Sequence, residues 1–385
     1  MAIMLRGLGT AVPEHSISQN DAADMAVGLC CTTAQQTKLL PALYRRTGVR
    51  TRHCVILEAS TNGGPAQQSF YANARDEDDS GPPTSVRMDR YETEAGQLAC
   101  IAAGRAIENS GVDTTTITHL VTVSCSGFNA PGFDISLITD LPLSPNVERT
   151  HVGFMGCHGA LNGLRVARAF IRADPNAVVL LCAVELCSLH QQYGWNPEQI
   201  VANSLFADGA AAVVLTSSVD AANSAPRDSD AVQNSEAGAS SRRHTATLIS
   251  NASYVVPDST DLMSWRIRDN GFEMTLSATL PELIRAHLKD WLSGWLSGFG
   301  LAPNDIAAWA VHPGGPRVLS ATGEALRLPA EQLQTSRDVL AAYGNMSSPT
   351  VLFILNQLTE QSLTGPCVML GYGPGITIEA ALLEL

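Results

Sequence analysis

The sequence predicts an α/β protein built from two similar halves, and three observations carry that expectation. Helical stretches alternate with short aliphatic and β-branched runs along most of the chain. The same order of elements occurs twice. Between the two occurrences lies "SSVDAANSAPRDSDAVQNSEAGASSRRH", residues 217–244, a polar low-complexity stretch with nothing to bury. The chain therefore divides into residues 1–216, an insertion at 217–244, and residues 245–385.

In the first half an acidic loop, "ANARDEDDSGPPTS" at 72–85, precedes the helical stretch "ETEAGQLACIAAGRAIENSG" and the strand "HLVTVSCSG". Cys157 follows in "VGFMGCHGALNGLRVARAF", at the head of an apolar helix, and then comes the strand "AVVLLCAVE". In the second half the helix "LPELIRAHLKDWLSGWLSGFG" leads to the strand "AAWAVHPGG". The corner and helix "YGNMSSPTVLFILNQL" and the strand "CVMLGYGPG" complete the order. "GAAAVVLTS" and "ITIEAALLEL" each close a half with one more strand.

Composition limits the partners. The 385 residues are 45% apolar and 5% aromatic, which implies a closely packed aliphatic core. A formal charge of −13 disfavours nucleic acid and anionic membranes. The longest apolar run, Ala177 to Val184, is too short to cross a bilayer, and "MAIMLRGLGT" lacks the features of an export signal. Nine cysteines without metal-type CxxC spacing read as free thiols in a reducing compartment, the cytoplasm by default. The two lysines, Lys38 and Lys289, lie in no phosphate-loop pattern, so nucleotide hydrolysis is not expected. One basic island, "LYRRTGVRTRH" at 43–53, reads either as a solvated arginine surface or as a phosphate site.

The duplication gives Cys157 and Asn345 equivalent places, so that two helix starts meet if the halves pack about a pseudo-twofold axis. His312, after a strand in "AVHPGG", can reach the same point. Each residue alone has an ordinary use: Cys157 as a small buried filler, His312 as a satisfied polar residue, Asn345 as a helix cap. Together they suit thiol chemistry, because a helix N-terminus and an adjacent imidazolium both favour the thiolate. The expectation is an ion pair at rest. Gly156 and Gly159 permit close backbone approach to a substrate.

The order Cys, His, Asn, with "GCHGALNGLRVA", "SLFADGAAAVVL", "AVHPGGPRVL", "YGNMSSPTVLF" and "GYGPG", resembles a bacterial-like type III polyketide synthase of the chalcone synthase superfamily. The resemblance covers nearly the whole chain outside 217–244. It implies a thiolase-like fold, two related halves in a layered α-β-α-β-α arrangement, and a homodimer without metal or prosthetic group. Cys157 then accepts an acyl group from an acyl-CoA starter, and His312 and Asn345 donate to thioester oxygens while malonyl-CoA is decarboxylated. Phe206 matches a gatekeeper between the CoA tunnel and the cavity. Gly371, Tyr372, Gly373, Pro374 and Gly375 match a cavity-shaping loop, and Arg46 a contact to CoA phosphates.

The remaining matched cavity positions are Cys125, Ala130, His190, Trp265, Met274 and Ser347. Plant chalcone synthases typically carry threonine, methionine, threonine, glycine, phenylalanine and serine there. "SWRIRDNGFEMTLSATLP" resembles bacterial members that take fatty acyl-CoA, so an aliphatic starter and a pyrone, resorcinol or related product are expected. The competing readings are a chalcone- or stilbene-type synthase with an aromatic starter, an initiating β-ketoacyl-ACP synthase, a cysteine hydrolase and a non-catalytic acyl-CoA sensor. "GYGPG", Phe206 and the 33-residue step from His312 to Asn345 favour the polyketide reading over the carrier-protein enzyme.

Overall fold

The computed structural model of the chain describes residues 2–60, 64, 66–218 and 246–385. Its strands are, in chain order, β1 (Ile3–Ala11), β2 (Ser16–Ser18), β3 (Thr51–His53), β4 (Leu57–Glu58), β5 (Gln67–Gln68), β6 (His119–Ser124), β7 (Glu148–Gly153) and β8 (Val179–Leu186). They continue with β9 (Asp208–Ser217), β10 (Ala246–Val255), β11 (Met263–Arg268), β12 (Gly271–Leu276), β13 (Ala308–Val311), β14 (Pro366–Gly373) and β15 (Thr377–Glu384). Nine of them form one sheet in the order β13-β14-β15-β10-β1-β9-β8-β6-β7.

The duplication is visible in strand direction. β6 runs parallel to β8, β8 antiparallel to β9, and β9 antiparallel to β1. β13, β14, β15 and β10 repeat that series step for step. The halves join where β1 and β10 pair antiparallel, with Ile3 opposite Leu248 and Leu5 opposite Ala246. Pattern reading of the sequence left both seam strands unassigned. They flank the long insertion or the N-terminus and have no copy of the helix-strand signature beside them.

Strand alternation divides the interior into layers, because successive side chains point to opposite faces. Leu180, Cys182 and Val184 of β8 enter one core with Leu98, Ala102 and Ala106 of the helix Thr84–Ser110. Val179, Leu181 and Ala183 enter a second core shared with the helices Gly159–Ala173 and Thr350–Glu360. In the C-terminal half Cys367 and Met369 face that same central core, whereas Val368 and Leu370 face the helix Leu280–Ser297. The result is the thiolase-like α-β-α-β-α stack, with two buried helices sandwiched in its middle.

Small residues set the spacing of the outer layer. A Cβ on Gly9 of β1 would lie 2.2 Å from the Ala102 carbonyl oxygen, so only glycine lets helix and strand backbones touch there. The helix begins at Thr84, inside the stretch expected as the acidic loop, with the conformationally fixed Pro83 at its N-cap position; Gly111 ends it in the left-handed region at φ 65°.

Ser217 is the last residue of β9, and residues 219–244 of the expected insertion lie outside the described residues. Among the described residues no helix is long and apolar enough to cross a membrane.

Candidate active site

Cys157 sits where β7 hands over to the central helix. The chain turns through Phe154 at φ 54° and Gly156 at φ 72°, then through a single tight turn, Gly156–His158, into helix Gly159–Ala173. Gly156 is required twice over, since a Cβ there would also stand 2.4 Å from Pro374 Cδ. The equivalent corner of the second half carries Asn345. It follows Gly344 at φ 73° and precedes Ser347, again a non-glycine residue at φ 54°, before helix Thr350–Glu360. His312 follows β13, and its backbone N–H donates to the Leu370 carbonyl at 2.8 Å.

These corners meet. Cys157, His312 and Asn345 line one chamber of about 30 Å³ together with Phe206, Leu280 and Tyr372. A contiguous space of about 20 Å³ adds Cys125, Cys187, Trp265 and Ser347 around the same sulfur. A groove of about 390 Å³, with Arg46, Thr47 and Arg317 on its walls, shares Leu205, Leu276, Leu280 and Gly314 with the chamber. Those four residues form the wall between groove and chamber. A side cavity of about 60 Å³ touches the chamber at Phe206 and Met274, and Ile17, Met25, Leu29 and Ile56 form its apolar wall.

The hydrogen bonds orient the polar groups. Ser347 N–H donates to Asn345 Oδ1 at 2.8 Å, which commits that oxygen and leaves the Nδ2 amide as the donor facing Cys157. The Asn345 backbone pairs with that of Phe206: Asn345 N–H donates to the Leu205 carbonyl and Ala207 N–H to the Asn345 carbonyl. Both ring nitrogens of the fully buried His312 lack a partner among the described residues, so its donor capacity is directed at whatever enters the chamber.

Burial dominates the electrostatics. It pushes the Cys157 thiol up to about 11, despite hydrogen bonds from Ser347 and Asn345 that pull the other way. It pulls the His312 imidazole down to about 3, with nearby His158 adding to the effect. Burial thus works against both charges of the ion pair expected from the sequence. A helix start and a ring partner favour the thiolate, but the dry chamber opposes both charges more strongly.

Two family profiles match the chain: "Chalcone and stilbene synthases, N-terminal domain" over residues 1–219 and the corresponding C-terminal domain over residues 247–385. The chain belongs to the chalcone and stilbene synthase family. It is a type III polyketide synthase, an acyltransferase that catalyses decarboxylative condensation. The 1,3,6,8-tetrahydroxynaphthalene synthase of Streptomyces peucetius subsp. caesius is 33% identical over 97% of this chain and 91% of its own. The alpha-pyrone synthesis polyketide synthase-like Pks18 of Mycobacterium tuberculosis is 29% identical over 99% and 91%. The crystal structure of PKS-I from the brown alga Ectocarpus siliculosus superposes with a TM-score of 0.84 at 28% identity, covering 100% of this chain and 98% of that one.

Several residues of the synthase sit differently from the sequence expectation. Phe206 lies between the chamber and the side cavity, whereas the boundary with the groove is made by Leu205, Leu276, Leu280 and Gly314. Gly371, Tyr372 and Gly373 end strand β14, so only Pro374 and Gly375 of that motif form a turn. Tyr372 reaches the chamber and shares a 2.6 Å hydrogen bond with Thr322. Ala130 is exposed and lines none of these cavities. The basic island splits. Arg46 is exposed on the groove, while Arg52 is buried and donates to the Phe206 carbonyl at 2.9 Å. His190 is a satisfied wall residue: Nδ1 accepts from Phe272 N–H, Nε2 donates to the Ser126 carbonyl, and burial pulls its pKa down to about 3.

Three residues escaped the sequence reading. Glu185 is fully buried and accepts from Cys125 N–H, Ser126 N–H and Oγ, and Ser348 Oγ, tying the corners of both halves together; burial still raises its carboxyl. As the single charge in the run "AVVLLCAVEL", it carried a signal. Arg317 faces the groove one residue after the proline that opens helix Pro316–Leu326. His158 adjoins the nucleophile candidate.

The neutral pair has a measurable signature. Iodoacetamide alkylation of Cys157 in the substrate-free enzyme should accelerate only above about pH 9, toward the value of about 11. A midpoint below pH 7, raised by His312→Gln, would show that the proton already rests on the imidazole.

Proposed function

We propose that the synthase loads an acyl-CoA starter on Cys157 and extends it iteratively with malonyl-CoA before cyclisation to a pyrone, a resorcinol or a related product. The observation that carries this reading is the convergence of Cys157, His312 and Asn345 in one chamber, next to a groove walled by Arg46 and Arg317. As the sulfur attacks the starter thioester, neutral His312 takes its proton. The carbon–sulfur bond to Cys157 forms, the bond to CoA breaks, and the proton leaves with the CoA thiol.

Malonyl-CoA then loses carbon dioxide, and its electron pair becomes an enolate. The neutral imidazole supplies one N–H to the enolate oxygen and Asn345 Nδ2 a second, in a chamber whose low dielectric strengthens both bonds. The enolate carbon attacks the Cys157 thioester; a carbon–carbon bond forms and the thiolate departs, ready to be acylated again. No metal or prosthetic group enters this scheme.

The side cavity supports an aliphatic starter. Its wall of Ile17, Met25, Leu29 and Ile56 suits a hydrocarbon chain, and Trp265 and Phe206 separate it from Cys157. The Trp265 indole donates to the Cys125 carbonyl at 2.7 Å and fills volume that a coumaroyl ring would need. The small chamber itself favours a second reading, a starter of two or three carbons. Mass spectrometry of products from malonyl-CoA with acetyl-, hexanoyl-, lauroyl- and coumaroyl-CoA, without acyl carrier protein, separates these. Lauroyl products, increased by Trp265→Gly, are expected; acetyl products alone support the second reading, and no product without carrier protein overturns the proposal.

Arg46 and Arg317 are assigned to the CoA phosphates, where guanidinium forks pair well with oxyanions. Replacing both with alanine should raise KM for CoA thioesters about tenfold, following about 0.7 kcal/mol for each of two solvent-facing charged contacts. KM for N-acetylcysteamine thioesters, which carry no phosphate, should stay unchanged. A parallel rise for both substrates removes the arginines from phosphate binding.

A homodimer is supported by the apolar patch of Phe128, Phe154 and Met155, all exposed in the single chain and next to the Cys157 turn. Light scattering at micromolar concentration should give twice the chain mass, and a monomer mass counts against it. Nine free cysteines fit the reducing cytoplasm.

A further inference from the structure

We propose that His158 is a positioning residue, which fixes the turn carrying Cys157 onto the C-terminal half of the molecule. The inference rests on Cys157 being the nucleophile. Three observations carry it.

The first is the seat. His158 is buried, and its ring lies on the end of β14. A Cβ on Gly371 would stand 2.8 Å from His158 Cβ, and one on Gly373 2.3 Å from the ring atoms Cδ2 and Nε2. The glycines of "GYGPG" are thus the floor under this imidazole. Pro374, next in the motif, closes over Gly156 on the other side of the same turn.

The second is the hydrogen-bonding. His158 Nδ1 meets Asn162 Oδ1 at 2.7 Å, and Nε2 meets Thr377 Oγ1 at 2.5 Å. Asn162 Nδ2 donates to Glu379 Oε1 at 3.1 Å, so its oxygen faces the imidazole and Nδ1 carries the hydrogen. Nε2 then accepts from the Thr377 hydroxyl, whose contact to the ring is shorter than its alternative at 3.3 Å to the Pro374 carbonyl. Glu379, buried, is held in turn by Ser253 Oγ and by Arg165. A continuous chain runs from a partly exposed guanidinium on the helix behind Cys157, through a carboxylate on β15, back to the residue beside the sulfur.

The third is proximity to His312. His158 is near enough for its charge to depress protonation of that ring. The tautomer assigned above is uncharged and satisfied at both nitrogens. Held that way, His158 leaves His312 free to take the proton of Cys157 without a neighbouring cation opposing it.

The test compares full-length His158→Phe, Asn162→Leu and Thr377→Val with the parent. Phenylalanine keeps the ring on the two glycines and removes only the hydrogen bonds. At matched thermal stability, His158→Phe and Asn162→Leu should each lower kcat for condensation at least tenfold, with KM for malonyl-CoA within twofold and slower alkylation of Cys157. A parent-like kcat and alkylation rate in folded His158→Phe overturns the proposal. So does a fall in kcat accompanied by an equal rise in KM. Should His158→Phe fail to fold, Asn162→Leu and Thr377→Val decide by the same criteria, since neither touches the ring's seat. Cys157→Ala is the control that isolates the underlying reading: condensation surviving in it refutes the nucleophile assignment, whatever His158 does.

Discussion

Two helix starts have to meet in this molecule because the helices behind them are buried in one layer. Gly159–Ala173 and Thr350–Glu360 contribute Leu161, Leu164, Leu352 and Leu355 to the core shared by both halves. Neither helix can move outward without exposing that face, which would cost about 1.5–3 kcal/mol for each large aliphatic side chain. Their N-terminal corners are therefore held at the seam. Glu185 and the Phe206–Asn345 backbone bridge then tie the second of these corners to the first half.

That arrangement also decides the electrostatics. A chamber made where two buried helices meet is poor in water, and the free energy of every charge in it rises accordingly. Burial accordingly favours the neutral thiol and the neutral imidazole. Neutrality is useful to the proposed reaction: an uncharged ring can first accept a proton from the sulfur and later offer an N–H to an enolate oxygen. The charge is created only when substrate has brought its own polar groups into place.

Much of this was legible beforehand, for physical reasons that differ by element. The helix-strand order survived because period and composition are local properties, as in "AVVLLCAVE" for β8 and "LPELIRAHLKDWLSGWLS" for the helix Leu280–Ser297. Duplication makes the corners of Cys157 and Asn345 equivalent, and the strand before His312 ends beside them, which is why these three stood out. The β1–β10 seam was missed, since pairing between residues 3 and 248 leaves no mark in either segment alone. The opposition of burial to both charges was not legible, because burial of a corner depends on what both halves place over it. Arg52 shows the same limit in miniature: in an arginine-rich string it resembles its exposed neighbours, yet it is the one turned inward to grip the Phe206 carbonyl.

The Trp265 indole stands between two unequal compartments and is anchored by a hydrogen bond to the Cys125 carbonyl. A rigid bicyclic ring pinned at one end behaves as a partition and not as padding: the room available to a growing chain is either one small chamber or that chamber plus its annexe. Removing that single wall would then change the enclosed space in one step, instead of by gradual enlargement of one vessel.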